Sequence, residues 1–373
     1  MDWWRKKKNK KNQILERGAL LLEDLIECCD GKSNPIKFFS ADEILKATDN
    51  FSDTNRVFEL SYIYKWYSGQ TENYHKILIT KDIFRFDTYR EGKKVPSLSE
   101  GTFCRDITVS SMVSGHKNFL KLVGCCLDFE DLVMVFHGVK KHYNLDVSEQ
   151  PWKRRMKIAE DIATALAYLH SAFPRPFVYT CMSLGDILLD EDGVAKLRDF
   201  SCCVSIPEGE TFVKVSRRTV ENGEYTMSCV VSEKTDVFAI GISLQTLLMG
   251  QERFHDSYDS AFKFLEERRM DEIADPKMLE TMGEISEQEL CQMNAFQILS
   301  LRCVGHKGKE VPTMVEVAKE LKKIQRSLNH DSSSPSGKNE NNHKLLITKD
   351  VYRFDTCGKG TFCRDIAHSV GDN

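Results

Sequence analysis

At Trp152 the apolar pattern of this chain changes its period, and that change narrows the folds open to it. Before Trp152, short apolar runs sit between polar breaks. Ile77-Leu78-Ile79, Leu122–Cys126 and Leu132–Phe136 read as strands. After it, Ile158, Ile162, Ala165, Leu166 and Leu169 recur at helical spacing and mark a long buried helix ending at His170. Further helices are expected around 234–249, 259–267, 286–303 and 312–328. Strands first and helices afterwards predict an α+β fold of two lobes: a strand-rich N-lobe over 39–137 and a helical C-lobe over 138–330. Hydrophobic residues make up 41% of the 373, enough to build a core in each.

The two ends follow other rules. Residues 1–38 read as an extension, basic at Arg5–Lys11 and then helical, with Ile14, Gly18, Leu21, Leu22 and Leu25 on one stripe. That stripe either packs on its own domain or, with Ile36, forms a partner-binding face at Leu21, Leu22, Leu25 and Ile36. The basic run is either a solvated tail or a contact with an anionic membrane surface. The net charge of −4 gives no electrostatic case for nucleic acid. No stretch reads as a secretory leader, so the 13 cysteines are expected as reduced cytosolic thiols. Ser40 with Glu43 three residues on is a capping box and predicts a short helix through Ala47.

Beyond the C-lobe, residues 331–342 have the composition of a flexible linker. Residues 343–373 then hold a partial duplicate of residues 75–107. His343–Thr356 repeats His75–Thr88, and Gly360–Ile366 repeats Gly101–Ile107. The copy is about one strand and a helix start, too little to bury a core alone. It is expected to be disordered or loosely paired to a sheet edge.

Four segments in fixed order carry a resemblance. They are Phe39–Ser52; His116-Lys117-Asn118 with Leu122–Leu127; Trp152, Arg155, Ile158-Ala159 and Ala165–His170; and Lys234–Phe238 with Gly241. Together they resemble the kinase domain of plant receptor-like kinases, which implies a two-lobed protein-kinase-like fold. The resemblance also shows what is missing. The stretch that should hold a glycine-rich phosphate loop, Phe58–Lys65, has no glycine. The catalytic-loop aspartate falls on Cys181 and the loop lysine on Ser183. Loss of a general base alone costs roughly 10²–10⁴ in rate.

The remaining positions are vestigial. Lys81 is the best candidate for the strand lysine that reaches the phosphates, and Lys76 a weaker one. Its expected helix carboxylate is missing, with the shorter Asp106 near that place. Asp186 and Asp199 keep two oxygen-bearing metal positions, which leaves room for weak Mg-ATP binding. Arg198, just before Asp199, is placed to enter or neutralise that pocket. In the activation segment Lys214, Arg217 and Arg218 form either a solvated basic patch or an anion-recognising loop.

Glu16–Ile26, Asn34-Pro35-Ile36, the glycine-free loop and Ser110–Leu120 narrow the resemblance to the ZRK group of receptor-like cytoplasmic pseudokinases. The resemblance implies an inactive adaptor with no resident cofactor. Its partners would be a coiled-coil NLR immune receptor and the receptor-like cytoplasmic kinases that pathogen effectors modify. Its place would be the cytoplasm, or the inner face of the plasma membrane by peripheral association. A weak nucleotide-binding or atypical serine/threonine kinase is the alternative.

Overall fold

The computed structural model describes residues 2–29, 35–57, 64–73, 75–82, 89–90, 93–94, 98–129, 132–138, 143–218, 226–250, 265, 268–305 and 310–326. The glycine-free stretch 58–63, most of the helix expected at 259–267, the linker and the duplicated segment lie outside the described residues. Two compact units emerge. One lies within Met1–Asp146, Asp161–Val213 and Val231–Asp236, the other within Val147–Glu160, Lys214–Val230 and Val237–Asn373.

The first unit is built on a sheet of five strands: β1 (Lys37–Phe38), β2 (Tyr64–Gln70), β3 (Lys76–Asp82), β6 (Leu122–Cys126) and β7 (Val133–His137), with β4 (Tyr89–Arg90) and β5 (Lys93–Lys94) forming a separate hairpin. The spatial order is β1-β6-β7-β3-β2, with β1 parallel to β6 and the other neighbours antiparallel. Both faces are covered, which is why these strands read as unbroken apolar runs. Ile77, Ile79, Val133 and Val135 point to the face that holds Ile44 of α2 (Ala41–Thr48). Leu78, Met134 and Phe136 point to the opposite face, against Phe103, Cys104 and Ile107 of α3 (Leu98–Val113). Helix α3 begins at Leu98, although Ser99–Thr102 offer no apolar signal in the first turn. The capping box at α2 is present, Ser40 N–H donating to Glu43 at 2.8 Å and Glu43 N–H to Ser40 Oγ at 3.2 Å.

The N-terminal helix α1 (Asp2–Cys29) packs on α3. Leu21 is 2% exposed within the core on the α3 face, with Ile14, Leu20, Leu25 and Ile36 packed beside it. Two arginines fasten the helix. Buried Arg17 donates to the carbonyls of Leu127 and Phe129. Arg105 of α3 pairs with Asp24 at 2.9 Å and donates to Cys28 Sγ. Leu15, Leu22 and Ile26 point outward, at least half exposed. The partner-face expectation therefore needs correcting at Leu21, which is spent on the domain's own core. Leu25 and Ile36 are half-buried against that core, and Leu22 alone of the four stays free.

Helix α4 (Trp152–Ser171) runs where the change of period places it, with Ile158, Ile162, Ala165, Leu166 and Leu169 fully buried. Small strands flank it in the chain. β8 (Tyr143–Asn144), β10 (Leu188–Leu189) and β11 (Ala195–Lys196) make one sheet, β9 (Phe177–Val178) pairs with β12 (Val204–Ser205), and β13 (Val213–Arg218) pairs with β14 (Thr226–Val231). The second unit holds most of α5 (Glu233–Met249), then α6 (Met270–Ile273), α7 (Pro276–Met282), α8 (Glu287–Cys303) and α9 (Met314–Arg326). Its α5 and α8 touch at Gly241, where a Cβ would meet Cys303 and Val304 at 2.8 Å. Fully buried Arg155 pairs with Asp275 at 2.6 Å and donates to the Leu247 carbonyl at 3.0 Å.

Candidate functional site

The site lies in the first unit, where the chain leaves α4, passes β9 and turns through Tyr179-Thr180-Cys181. Asp236, fully buried at the start of α5, holds that turn from below. Its carboxylate accepts from Tyr179 N–H at 2.8 Å and Thr180 N–H at 2.9 Å, and His170 Nε2 stands 2.8 Å away. Held this way, Thr180 adopts a left-handed φ of 67°. Thr180 Oγ1 donates to the Cys202 carbonyl at 2.8 Å and ties the turn to the segment after Asp199-Phe200-Ser201. Cys181, the position that the resemblance gives to the catalytic base, sits half-buried. The Ser183 hydroxyl is occupied locally, accepting from Gly185 N–H at 3.2 Å.

Asp199 also stands at a left-handed φ, 64°. Its carboxylate accepts from Ser201 Oγ at 2.6 Å. Phe200 is buried in an aromatic group, 5.6 Å from the Tyr179 ring and 5.7 Å from Phe119. The Phe200 N–H is taken by Asp106 of α3 at 3.0 Å, and Ser110 Oγ donates to the same carboxylate at 3.0 Å. Asp106 is 2% exposed. Burial, and then the nearby charge of Asp199, push its carboxyl up to about 7.

Arg198 is 1% exposed and crosses between the sheet and the loop. Its guanidinium lies 4.9 Å from the Trp66 ring centroid, and Nη2 donates to the Gly185 carbonyl at 3.3 Å. Trp66 in turn stacks on Phe136 at 5.7 Å. Trp66, Leu78, Phe136 and Leu188 belong to one buried apolar cluster.

Lys81 is not in this cluster. Its Nζ lies 4.8 Å from the Phe51 ring centroid, on the α2 face of the sheet. The β3 residue that shares a face with Leu78 is Thr80, 3% exposed and cross-strand from Trp66. The assignment of Lys81 to the phosphates is therefore corrected: side chains alternate along a strand, and Lys81 is one residue out of step. Counting by two from Leu78 would have found Thr80. Of the activation-segment cations, Lys214 is exposed, and the side chains of Arg217 and Arg218 lie outside the described residues, as does that of Asp186. An open groove of about 1120 Å³, lined in part by Lys46, Arg56, Gln70 and Lys76, holds of the site residues expected from sequence only Lys76, the weaker candidate for the strand lysine.

The protein kinase domain family matches residues 68–330, more than half of the chain. The chain belongs to the protein kinase family. It is 61% identical over 383 residues to the inactive serine/threonine-protein kinase ZRK12 of Arabidopsis thaliana, covering 100% of this chain and 95% of ZRK12. It is 51% identical over 362 residues to the non-functional pseudokinase ZRK15 of the same plant, covering 90% of this chain and 99% of ZRK15. Among solved structures, the apo GRMZM2G135359 pseudokinase is similar in fold, with a TM-score of 0.56 at 19% identity over 79% of this chain and 95% of that one. The chain is thus a catalytically inactive kinase of the ZRK group.

Kinases of the family hold a magnesium nucleotide through a strand lysine, a helix carboxylate and metal-binding acids. The residues present do not fit that group. Thr80 offers a hydroxyl where a cation is needed, and Asp106 has turned to the Phe200 backbone. Trp66, Phe136 and Leu188 meet as a packed core, and Arg198 lies across it. Asp199 is engaged by Ser201.

Proposed function

We propose that this inactive kinase works as a protein-binding adaptor in plant innate immune signalling. It would link a coiled-coil NLR receptor to receptor-like cytoplasmic kinases that pathogen effectors modify. One observation carries the reading: α1 is fastened to the kinase fold by Arg17 and Arg105, yet turns Leu15, Leu22 and Ile26 to solvent. Apolar side chains at this spacing form a stripe on one helix face, rimmed by exposed Glu16 and Glu23. A rigid apolar ridge on a fold without chemistry suits a docking surface. This moves the partner residues from Leu21, Leu25 and Ile36 to Leu15, Leu22 and Ile26. Exposed Lys214 fits a second contact, with an anion on a modified kinase. The exposed cations Lys8, Lys10 and Lys11 suit peripheral association with the inner face of the plasma membrane. No helix among the described residues is long and apolar enough to cross it.

The test uses the full chain carrying Leu22→Asp and Ile26→Asp. Co-precipitation with the receptor should fall by about tenfold or more, the loss expected for removing an interface anchor. The melting temperature should stay within about 1 °C of the parent, as for surface substitutions. Undiminished binding would remove α1 from the interface.

A further inference from the structure

Helix α1 carries two stripes, and the fold covers one of them. The inner stripe, with Ile14, Leu21 and Leu25, packs on the core beside α3. The outer stripe is Asn12, Leu15, Ala19, Leu22 and Ile26, all exposed. Its intervals of three, four, three and four residues are those of a coiled-coil seam.

Gly18 lies beside the middle of that seam. A Cβ at this position would meet nothing within 4 Å among the described residues. The packing of α1 on its own fold therefore does not call for glycine, which is less favourable than alanine inside a helix. Leu15, Gly18, Ala19 and Leu22 stand at i, i+3, i+4 and i+7. Four residues so placed frame the hole that receives a side chain from a facing helix. Gly18 and Ala19 make this hole deep. Exposed Glu16 and Glu23 line one side of the seam, and neither has an ion-pair partner among the described residues.

We propose that the outer seam of α1 receives one helix of a partner protein. A large apolar side chain of that helix sits over Gly18, and its lysines or arginines face Glu16 and Glu23. This rests on α1 as the docking face and names the chemistry it takes. A second copy of the chain does not fit. In a parallel pair the copy's Ala19 would enter the deep hole and leave a void. In an antiparallel pair the flank of Glu16 and Glu23 would face itself, like charge against like.

The probe is a labelled three-heptad peptide with leucine at the seam positions and lysine at the flanking ones, read by fluorescence anisotropy on the full chain. One control replaces its lysines by glutamate, and a second scrambles its sequence. The lysine peptide should bind at least about tenfold tighter than either control. Glu16→Lys with Glu23→Lys should reverse the preference between lysine and glutamate peptides. Gly18→Ala should weaken the lysine peptide about tenfold by overfilling the hole. The same change should raise the melting temperature by about 1–2 °C, since alanine suits a helix better. A scrambled peptide that binds equally shows attraction by charge alone and overturns the proposal. Unchanged peptide affinity in Gly18→Ala overturns it too, as does a parent that sediments as a dimer and becomes monomeric in Leu22→Asp. If Leu22→Asp with Ile26→Asp abolishes peptide binding but spares the receptor, the helix seam stands and the receptor docks elsewhere. If the same pair abolishes receptor binding while no lysine peptide binds the parent, the docking face stands and the helix falls.

Discussion

Asp236 and Asp106 are both buried carboxylates that accept backbone N–H groups, yet the regions around them have fared differently. Asp236 holds Tyr179, Thr180 and His170 and so fixes the turn that leads to Cys181. Asp106 stands beside a rebuilt site in which Thr80, Trp66 and Arg198 occupy the ground of a nucleotide. The difference separates two kinds of constraint. Losing the first group strands buried backbone donors and costs the fold. Changing the groups around the second, Thr80 and Trp66 among them, removes a reaction while Asp106 still holds the Phe200 N–H.

The largest blow to this comparison comes from Asp236→Ala. Two buried backbone N–H groups and one imidazole would lose their partner, and stability should fall by about 4 kcal/mol in a denaturant titration. A loss under about 1 kcal/mol would show that the loop is not held from below. A smaller effect sharpens the contrast along α1. Leu21→Ala should cost about 2–3 kcal/mol as a core truncation, and Leu22→Ala should stay within about 0.5 kcal/mol as a surface change. Equal costs would mean that the helix has no inner and outer face.

A third effect is one of pH. Folded Asp106 keeps its proton up to about pH 7, whereas unfolded it releases it near pH 4. Between those values the unfolded chain binds fewer protons, so this group makes stability fall as pH rises. Asp106→Asn cannot titrate. Relative to it, the parent should lose up to about 1 kcal/mol per pH unit between roughly pH 4 and 7, and nothing further above. Parallel pH profiles would remove Asp106 from the strained half of the comparison.

The order of strands and helices and the α2 capping box could be read from residue pattern, because each rests on neighbours in the chain; the reading of Cys181 as the catalytic-base position rests on the family resemblance. What the sequence hid depends on direction in space. Leu21 and Leu22 are equally apolar and adjacent, and only the packing of α1 on α3 separates a core residue from a surface one. Lys81 fits the strand lysine by its place after Leu78-Ile79-Thr80, but a strand decides by parity, and Thr80 has the inward place. Arg198 could be suspected beside Asp199. That it rests on Trp66, 132 positions earlier, follows only from how β2 and the loop are brought together.

Thr180 and Asp199 keep left-handed backbones at φ 67° and 64°. Residues with side chains adopt this conformation at a cost of about 1 kcal/mol each, and it is commonly taken as the signature of a working site. Here the same bends are imposed by Asp236 below the loop and by the aromatic packing of Phe200, neither of which needs a substrate. Distortion of this kind records descent as much as use. A survey that ranks proteins as enzymes by their backbone outliers would place this chain among them, for geometry that outlived its reaction.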